Sequence, residues 1–225
     1  MHVICPLEFE RSRLARAAHA RSWTLHCSGP GGVGIDRWAA ATALPPGTTV
    51  ILAGVAGGLR PSATPGTAVS VASIVDEHGA RWRPSHGGSS HHRSVRCLGI
   101  ERMLQTPFEK HAAAERFDAD IVDMESATFA RVAEAAGWNW AVVRGISDGC
   151  NDALPAGVEH WTADNGRTRV GMVLGSLARR PTLLPQVMAL ARRSGAAMRA
   201  VETLLLERDW SKRVAAESDS MRGSP

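Results

Sequence analysis

Two acidic residues stand at positions where a folded domain usually buries apolar side chains. Glu125 lies near the start of an alanine-rich helix predicted from about Met124 to Ala136, and Asp148 follows an apolar segment that predicts a buried strand. Burying an ionised carboxylate is costly unless a partner offsets it. A carboxylate accepts hydrogen bonds through two oxygens, so Glu125 suits a vicinal diol such as that of a ribose. Asp148 suits proton donation as a general acid, with a turn or helix cap as the alternative.

Glycine-rich segments follow two other predicted strands. The segment "LAGVAGGL", Leu52 to Leu59, ends a strand in glycines, which let a ligand approach the backbone at the carboxyl edge of an α/β sheet; a tight turn is the alternative. The segment "SGPGGVG", Ser28 to Gly34, predicts a loop. It lacks both the GxGxxG spacing of dinucleotide sites and the Lys-Ser/Thr of a P-loop, so both motifs are excluded.

Composition indicates an ordinary globular protein. The chain has 225 residues, 44% of them hydrophobic, and a net charge of +4, which fits one sizeable domain. Only Lys110 and Lys212 are lysines, and no run of Lys and Arg is interleaved with aromatic residues, which disfavours nucleic-acid binding. The four cysteines form no CxxC pair, and no segment reaches the roughly 20 apolar residues of a membrane-spanning helix. We therefore expect a cytoplasmic protein without stable membrane insertion.

Short β-rich segments alternate with helical patterns, which predicts an α/β layer architecture. Predicted strands occur at "HVIC", "SWTLHC", "TTVILAGVAGG", "TAVSVASIVDE", Ala119 to Val122 and the segment through Val143. Predicted helices run from Glu10 to about Ala20, from a cap at Asp36, from Pro107 to about Glu115, and from Pro185 to about Glu207. The polar segment from Gly79 to Arg96 is interpreted as a mobile loop.

Three motifs in one order carry a family resemblance. The segments "AGVAGGL", "VDMES" and "VVRGISDG" resemble the nucleoside phosphorylase/nucleosidase superfamily, which includes purine nucleoside phosphorylases and 5′-methylthioadenosine/S-adenosylhomocysteine nucleosidases. The resemblance covers the chain from "VICPLEFE" to about residue 150. It implies a three-layer α/β/α sandwich around a central mixed twisted sheet. From its length we expect the chain to form a single domain over residues 1–225, and from its polar end we expect residues from about 216 to 225 to be frayed.

The last third of the chain is similar to hopanoid-associated phosphorylases, bacterial proteins linked to removing adenine from adenosylhopane. The matching stretches are Leu154-Pro155, Asp164 to Thr168, and Leu177 through Leu190. This similarity implies an adenine nucleoside with a 5′ substituent as the substrate. It also implies a homodimer or higher homo-oligomer.

The resemblance assigns roles to the residues around the two acids. Asp148 would donate a proton to N7 of the leaving purine, and Ser147 would help to position it. Met124 would pack on the ribose, and Glu125 would bind its hydroxyls. The reaction implied is cleavage of an N-glycosidic bond through an oxocarbenium-like state.

Four further residues receive roles from the same resemblance. Ala56 and Gly57 would line the base or nucleophile side through backbone groups. Glu10 corresponds to the base that activates water in nucleosidases, and Met103 lies near a substrate-lining position.

The nucleophile is left open by the sequence. Inorganic phosphate, the expected co-substrate, needs cationic donors, for which Arg11, Arg60 and Arg93 are candidates; water, the alternative, needs Glu10 as a base. Val55 stands where relatives have a serine that contacts the nucleophile, and Arg102 stands where an aromatic residue would stack on adenine. These departures keep a third hypothesis, a nucleoside-binding protein without turnover.

Two other features receive structural interpretations. The cluster His86, His91 and His92 lies in a Gly/Ser segment without a fixed scaffold, so we expect no metal site and no cofactor. The apolar stripe of the C-terminal helix predicts core packing or a subunit contact rather than membrane docking, which requires a more cationic polar face.

Overall fold

The computed structural model describes residues 1–86 and 94–210. Within them the chain forms eight strands: β1 His2–Cys5, β2 Thr24–Cys27, β3 Thr49–Gly58, β4 Ala68–Asp76, β5 Arg81–Trp82, β6 Ser94–Gly99, β7 Ile121–Asp123 and β8 Asn139–Asp148. The helices are α1 Glu8–Arg21, α2 Gly31–Ala41, α3 Pro107–Phe117, α4 Ser126–Ala135, α5 Val170–Arg179 and α6 Leu184–Glu207. Short 3₁₀ turns occupy Val158–His160 and Pro181–Leu183.

The eight strands form one mixed sheet whose centre closes on itself. β1 lies between β2 and β3 in parallel register. β3 then pairs with β8, β8 with β4, β4 with β6, β6 with β7, and β7 returns to β3 through Gly57 and Gly58. The β3–β8, β4–β6 and β6–β7 contacts are parallel, whereas β4–β8 and β3–β7 are antiparallel. This ring brings the ends of β3, β7 and β8 to one place.

Helices cover both faces of the sheet, which confirms the predicted three-layer α/β/α architecture. On one face α2 and α4 pack over a core that includes Ile35, Phe129 and Trp140. On the other face α1 and α6 pack over a core that includes Leu14, Val201 and Leu205. Each face buries continuous apolar side chains because central strands such as β3 and β8 are covered on both sides.

The glycine-rich segment Ser28 to Gly34 is partly helical, contrary to the predicted loop. Helix α2 begins at Gly31, five residues before the predicted cap Asp36, which instead forms an ion pair with Arg131. A Cβ on Gly32 would lie 2.5 Å from Oγ1 of Thr128 in α4. The glycines therefore permit close helix–helix packing, and this tertiary contact overrides their low helix propensity.

The predicted loop from Gly79 to Arg96 contains parts of two strands. β5 pairs with β4 as an antiparallel edge, and β6 enters the closed ring with Val95, Cys97 and Leu98 buried. His86 is buried, and its backbone N–H donates to the carbonyl of Trp140. The apolar core of β6 is short and polar residues flank it, so the alternation of apolar and polar residues did not predict this strand.

The C-terminal third forms two helices, α5 and α6, and α6 confirms the predicted segment to within one residue at its start. Met198, Val201 and Leu205 lie in the core beneath the sheet, as the helical spacing predicted. In the part of the chain that is described, no helix combines the length and apolar character needed to cross a bilayer.

Candidate active site

A bulge at the paired ends of β3 and β8 shapes the centre of the site. Ala56 pairs with Ile146, but Gly57 pairs with Asp148, so Ser147 is the extra residue of β8. The Ser147 hydroxyl donates to Oδ1 of Asp148 at 2.6 Å and lies 3.2 Å from the carbonyl oxygen of Ala56. Bulges re-aim side chains at strand ends. Here the bulge brings four predicted site residues together.

Asp148 is paired with a buried lysine that sequence reasoning did not single out. Nζ of Lys110, in α3, lies 2.5 Å from Oδ2 of Asp148, and the two residues are only 1% and 5% exposed. The same ammonium donates to the carbonyl oxygens of Gly149 and Asp152 at 2.9 and 2.8 Å. All three N–H bonds of Lys110 are therefore used, and the charge of the ionised Asp148 is offset inside the protein.

Glycine at position 57 is required by the close approach of this acid. A Cβ there would lie 3.2 Å from Oδ2 of Asp148 and 3.3 Å from Cγ1 of Val122. Both contacts are tight, so a side chain at position 57 would require Asp148 or Val122 to shift by a few tenths of an ångström. Gly57, in the motif "LAGVAGGL" at the end of β3, therefore leaves space for the carboxylate of Asp148.

A second buried cation, Arg144 of β8, joins two acids from the β7–α4 connection. Its Nε donates to Oδ2 of Asp123 at 2.6 Å, and its Nη2 donates to Oε2 of Glu125 at 3.2 Å. Oδ1 of Asp123 also accepts from the backbone N–H groups of Glu125 and Ser126 at the start of α4, at 3.2 and 2.9 Å. Among the described residues, Nη1 of Arg144 has no hydrogen-bond partner.

Electrostatics around Arg144 are dominated by an excess of carboxylates. Burial alone would lower the pKa of Arg144, but Asp123, Glu125 and Glu10 raise it above its ordinary value. Burial raises the pKa of Glu125, with Asp123 acting in the same direction and Arg144 opposing it. One guanidinium cannot fully compensate three acids in a water-excluded space.

Glu10, near the start of α1, reaches the same cluster. Its Oε1 accepts from the backbone N–H of Val55 and its Oε2 from that of Leu7, both at 2.8 Å. Burial raises the pKa of Glu10 to about 8, although Arg144 and these two N–H groups act against the shift. A carboxyl group that ionises near neutral pH is suited to general-base chemistry.

Gly54 separates Glu10 from Arg144. A Cβ at this position would lie 2.6 Å from Oε1 of Glu10 and 2.7 Å from Nη1 of Arg144. Both groups therefore lie on the side of β3 to which a side chain at position 54 would project, and glycine leaves the space that they share. Any side chain at position 54 would displace one of them.

Glu125 also contacts the glycine-rich start of α2. Its Oε1 accepts from the backbone N–H of Gly31 at 2.7 Å. Met124 is half-buried beside it, with Cε 4.0 Å from the position of a Cβ on Gly31. Glu125 thus lies between a helix N-terminus and a guanidinium, both of which favour its ionised form.

Met103 lies in the connection between β6 and α3, and a separate crevice adjoins Asp148. Met103 is half-buried in the connection between β6 and α3, two residues before Gln105, whose carbonyl accepts from the N–H of Leu154. A crevice of about 280 Å³ adjoins Asp148. It is lined by Asp148, Asp152, Ala153, Leu154, Pro155, Pro185, Gln186, Ala189, Leu190 and Arg193.

The arginines predicted to bind phosphate have other partners. Arg11 pairs with Glu8 at 2.5 Å, and Arg60 pairs with Asp118 at 3.1 Å. Arg93 lies outside the described residues. The structure therefore shows neither Arg11 nor Arg60 directed to the cluster around Glu10.

The histidine cluster is described only in part, because His91 and His92 lie outside the described residues. Over residues 1–86 and 94–210, no group of three or more His, Cys, Asp or Glu side chains is arranged to hold a metal ion.

Comparisons with known proteins agree with this geometry. Residues 85–180 match the family model of the phosphorylase superfamily. The matched segment contains Lys110, Glu125, Arg144 and Asp148, whereas Glu10 lies outside it. No curated protein sequence matches the chain.

Solved nucleosidases share the fold across nearly the whole chain. The 5′-methylthioadenosine nucleosidase of Arabidopsis thaliana aligns with a TM-score of 0.67 at 13% identity, covering 93% of this chain and 97% of that one. A 5′-methylthioadenosine/S-adenosyl homocysteine nucleosidase of Helicobacter pylori aligns at 0.64 and 13%, covering 92% and 95%. Futalosine hydrolase of Helicobacter pylori aligns at 0.64 and 13%, covering 91% and 94%. At these identities the likeness shows that the chain shares the fold of these structures.

Sequence reasoning missed both buried cations of the candidate site, Arg144 and Lys110. Arg144 lies inside the quoted motif "VVRGISDG", where a charged residue within an apolar strand was a usable signal. Lys110 is one of two lysines in a chain whose other cationic side chains are arginines, which was a weaker signal. Neither pattern names the acid with which the cation pairs, because the partners lie 19 to 38 residues away in sequence.

Proposed function

We propose that this protein cleaves the N-glycosidic bond of purine nucleosides, with adenine as the leaving base. The observation that carries the proposal is the convergence of Glu10, Glu125 and Asp148 at the ends of β3, β7 and β8. These are a buried base candidate, a diol acceptor and an acid candidate. The solved neighbours named as nucleosidases support this reaction class.

Glu125 is the proposed ribose ligand. Each of its oxygens accepts one hydrogen bond in the structure, from Gly31 and from Arg144. A carboxylate oxygen has two lone pairs, so each oxygen retains one for a sugar hydroxyl. The two internal donors fix the carboxylate plane, which orients the 2′- and 3′-hydroxyls, while Met124 offers an apolar surface to the sugar.

Asp148 is the proposed general acid. In its protonated state it donates to N7 of the purine, the C1′–N9 bond breaks, and the bonding electrons leave with the base. Ser147 and Lys110 hold one oxygen each. The carboxyl group is therefore fixed in orientation before the substrate arrives, and general-acid catalysis of this kind contributes about 10²- to 10⁴-fold.

Water activated by Glu10 is the nucleophile that the geometry favours. Glu10 is buried, its pKa is raised to about 8, and it lies across Gly54 from the unpartnered Nη1 of Arg144. A water held near this N–H would have both a donor and a base beside it. The reaction is then hydrolysis.

Inorganic phosphate is the second candidate, as the similarity to hopanoid-associated phosphorylases implies. The observation in its favour is the same Nη1 of Arg144, which is a cationic donor without a partner among the described residues. A Glu10 that is still protonated at neutral pH would not repel an anion. Arg11 and Arg60 would contribute only if they left Glu8 and Asp118.

The 5′ substituent is proposed to be apolar. Leu154, Pro155, Ala189 and Leu190 line the crevice beside Asp148, and Met188 is 64% exposed on the adjoining turn of α6. Further exposed apolar side chains are Val170, Met172 and Leu174 of α5 and Leu184 of α6. A lipid-like chain such as that of adenosylhopane would cover this surface; a second copy of the protein in a homo-oligomer is the alternative.

The decisive experiment measures adenine release from adenosine and from adenosines with short and long apolar 5′ groups, with and without phosphate. Wild type is compared with Asp148→Asn and Glu10→Gln, and with Asp36→Asn, a control carboxylate that is 54% exposed. We expect phosphate-independent release that falls about 10²- to 10⁴-fold in Asp148→Asn and is unchanged in Asp36→Asn.

Other outcomes change the assignment in defined ways. Release that requires phosphate makes the protein a phosphorylase and removes the base role of Glu10. Saturable binding of all these nucleosides without release makes it a binding protein. Equal rates with short and long 5′ groups, together with a dimer whose formation covers α5 and α6, assign the apolar surface to a subunit contact.

A further inference from the structure

Lys110 contacts the proposed acid without reaching the space that a substrate would occupy. It is 1% exposed, and its ammonium contacts Asp148, Gly149 and Asp152. The two carbonyl oxygens of Gly149 and Asp152 hold the ammonium in place independently of its contact with Asp148.

The positive charge of Lys110 affects Asp148 differently before and after the proton transfer. Before transfer Asp148 is a neutral carboxyl group, and after transfer it is a carboxylate that is only 5% exposed. A cation 2.5 Å from Oδ2 interacts far more strongly with the carboxylate than with the neutral acid. Electrostatic stabilisation of charge that develops during reaction is often the largest contribution to catalysis.

We propose that Lys110 is a positioning residue for Asp148, whose charge stabilises the carboxylate left when Asp148 gives its proton to the departing base. The inference rests on the proposed function. In the step, the proton moves from Asp148 to N7, the C1′–N9 electrons go to the base, and Lys110 neither gains nor loses a proton. Lys110 belongs to α3, so in this proposal a helix outside the ring of strands contributes to catalysis.

Leaving-group dependence provides the test. Adenine requires a proton to depart, whereas 4-nitrophenyl β-D-ribofuranoside releases a stable phenolate without one. Wild type, Lys110→Met, Lys110→Arg and Asp148→Asn are assayed on adenosine and on this riboside. We expect Lys110→Met to lose about 10- to 100-fold on adenosine and less than about threefold on the riboside, with partial recovery in Lys110→Arg, which keeps the charge.

A double-mutant cycle on adenosine gives an independent answer and includes a variant without a buried charge at the pair. Lys110→Met combined with Asp148→Asn leaves both positions neutral, so this variant should fold even if Lys110→Met does not. If Lys110 acts through Asp148, adding Lys110→Met to Asp148→Asn costs less than about threefold in adenine release. An additional loss of 10-fold or more in that background overturns the proposal.

The outcomes separate this inference from the proposed function. Equal losses on both substrates in Lys110→Met, with a selective loss in Asp148→Asn, show that Lys110 is structural only and overturn the inference alone. No adenine release by wild type from any nucleoside overturns the proposed function and the inference with it.

Discussion

The two buried ion pairs of the site differ in the number of acids that each cation serves. Arg144 contacts Asp123 and Glu125 and lies across Gly54 from Glu10, so one cation faces three carboxyl groups. Lys110 faces Asp148 alone, and its other two protons go to backbone carbonyls. One cluster has excess negative charge, whereas the other is balanced.

In the proposed function, this difference would separate binding of the substrate from transfer of a proton. A planar guanidinium fork can orient two acids at once, and in that proposal it would orient Glu125 towards a diol. A compact ammonium can approach one oxygen closely, which suits an acid whose charge changes during each turnover. The excess charge around Arg144 has its own use, because burial among other acids keeps a carboxyl such as Glu10 protonated until near neutral pH.

Removing Arg144 should have the largest effect on stability. Arg144→Met leaves Asp123 and Glu125 buried without a cation, which we expect to lower the free energy of unfolding by about 3–5 kcal/mol in urea denaturation. The control is Arg131→Met, whose partner Asp36 is 54% exposed and whose loss should cost less than about 1 kcal/mol. Similar losses in the two variants would contradict a special role for burial.

Removing Lys110 should cost less, because it orphans one acid rather than two. Lys110→Met leaves Asp148 beside a crevice that water can enter, and we expect a loss of about 2–3 kcal/mol in the same measurement. The additional change Asp148→Asn should restore part of this stability. A loss as large as that of Arg144→Met would show that the two pairs are energetically alike.

Filling the space between Glu10 and Arg144 should have a smaller effect. Gly54→Ala places a Cβ 2.6 Å from Oε1 of Glu10, so the acid or the guanidinium must shift, at a cost of about 2 kcal/mol. Gly171→Ala is the matched control, since nothing lies within 4 Å of its added Cβ and a helical position gains from alanine. Unchanged unfolding and turnover in Gly54→Ala would mean that the two groups are not held in place.

The pH dependence of turnover should have the smallest magnitude. Glu10 acts as a base only when ionised, and its pKa is raised to about 8, so hydrolysis should increase as the pH rises through 8. The rate at pH 9 should be roughly tenfold that at pH 7, as follows from ionisation of one group. Stopped assays of adenine release across this range would detect it. A flat profile in wild type would exclude Glu10 as the base, and Glu10→Gln should remove the dependence.

Local patterns predicted most elements and the acids, but not the contacts between them. Strands β1, β3 and β4 and helix α6 follow from periodicity, and the positions of Glu125 and Asp148 follow from acids placed at strand and helix ends. The helix at Gly31 does not, because it depends on packing against Thr128. The pairing of Lys110 with Asp148 depends on how α3 lies over the sheet, which no local pattern contains.

The closed ring of strands also determines when the site can form during synthesis. β8 pairs with both β3 and β4, and it ends at Asp148. Until the ribosome has released residues 139–148, the apolar strands β3 and β4 have no neighbour along those edges. Contacts between distant segments form slowly, and unpaired edges favour aggregation of nascent chains. We therefore expect the ring to close only after β8 has been synthesised. Asp148 and the enclosed interior around it would then form in the same step.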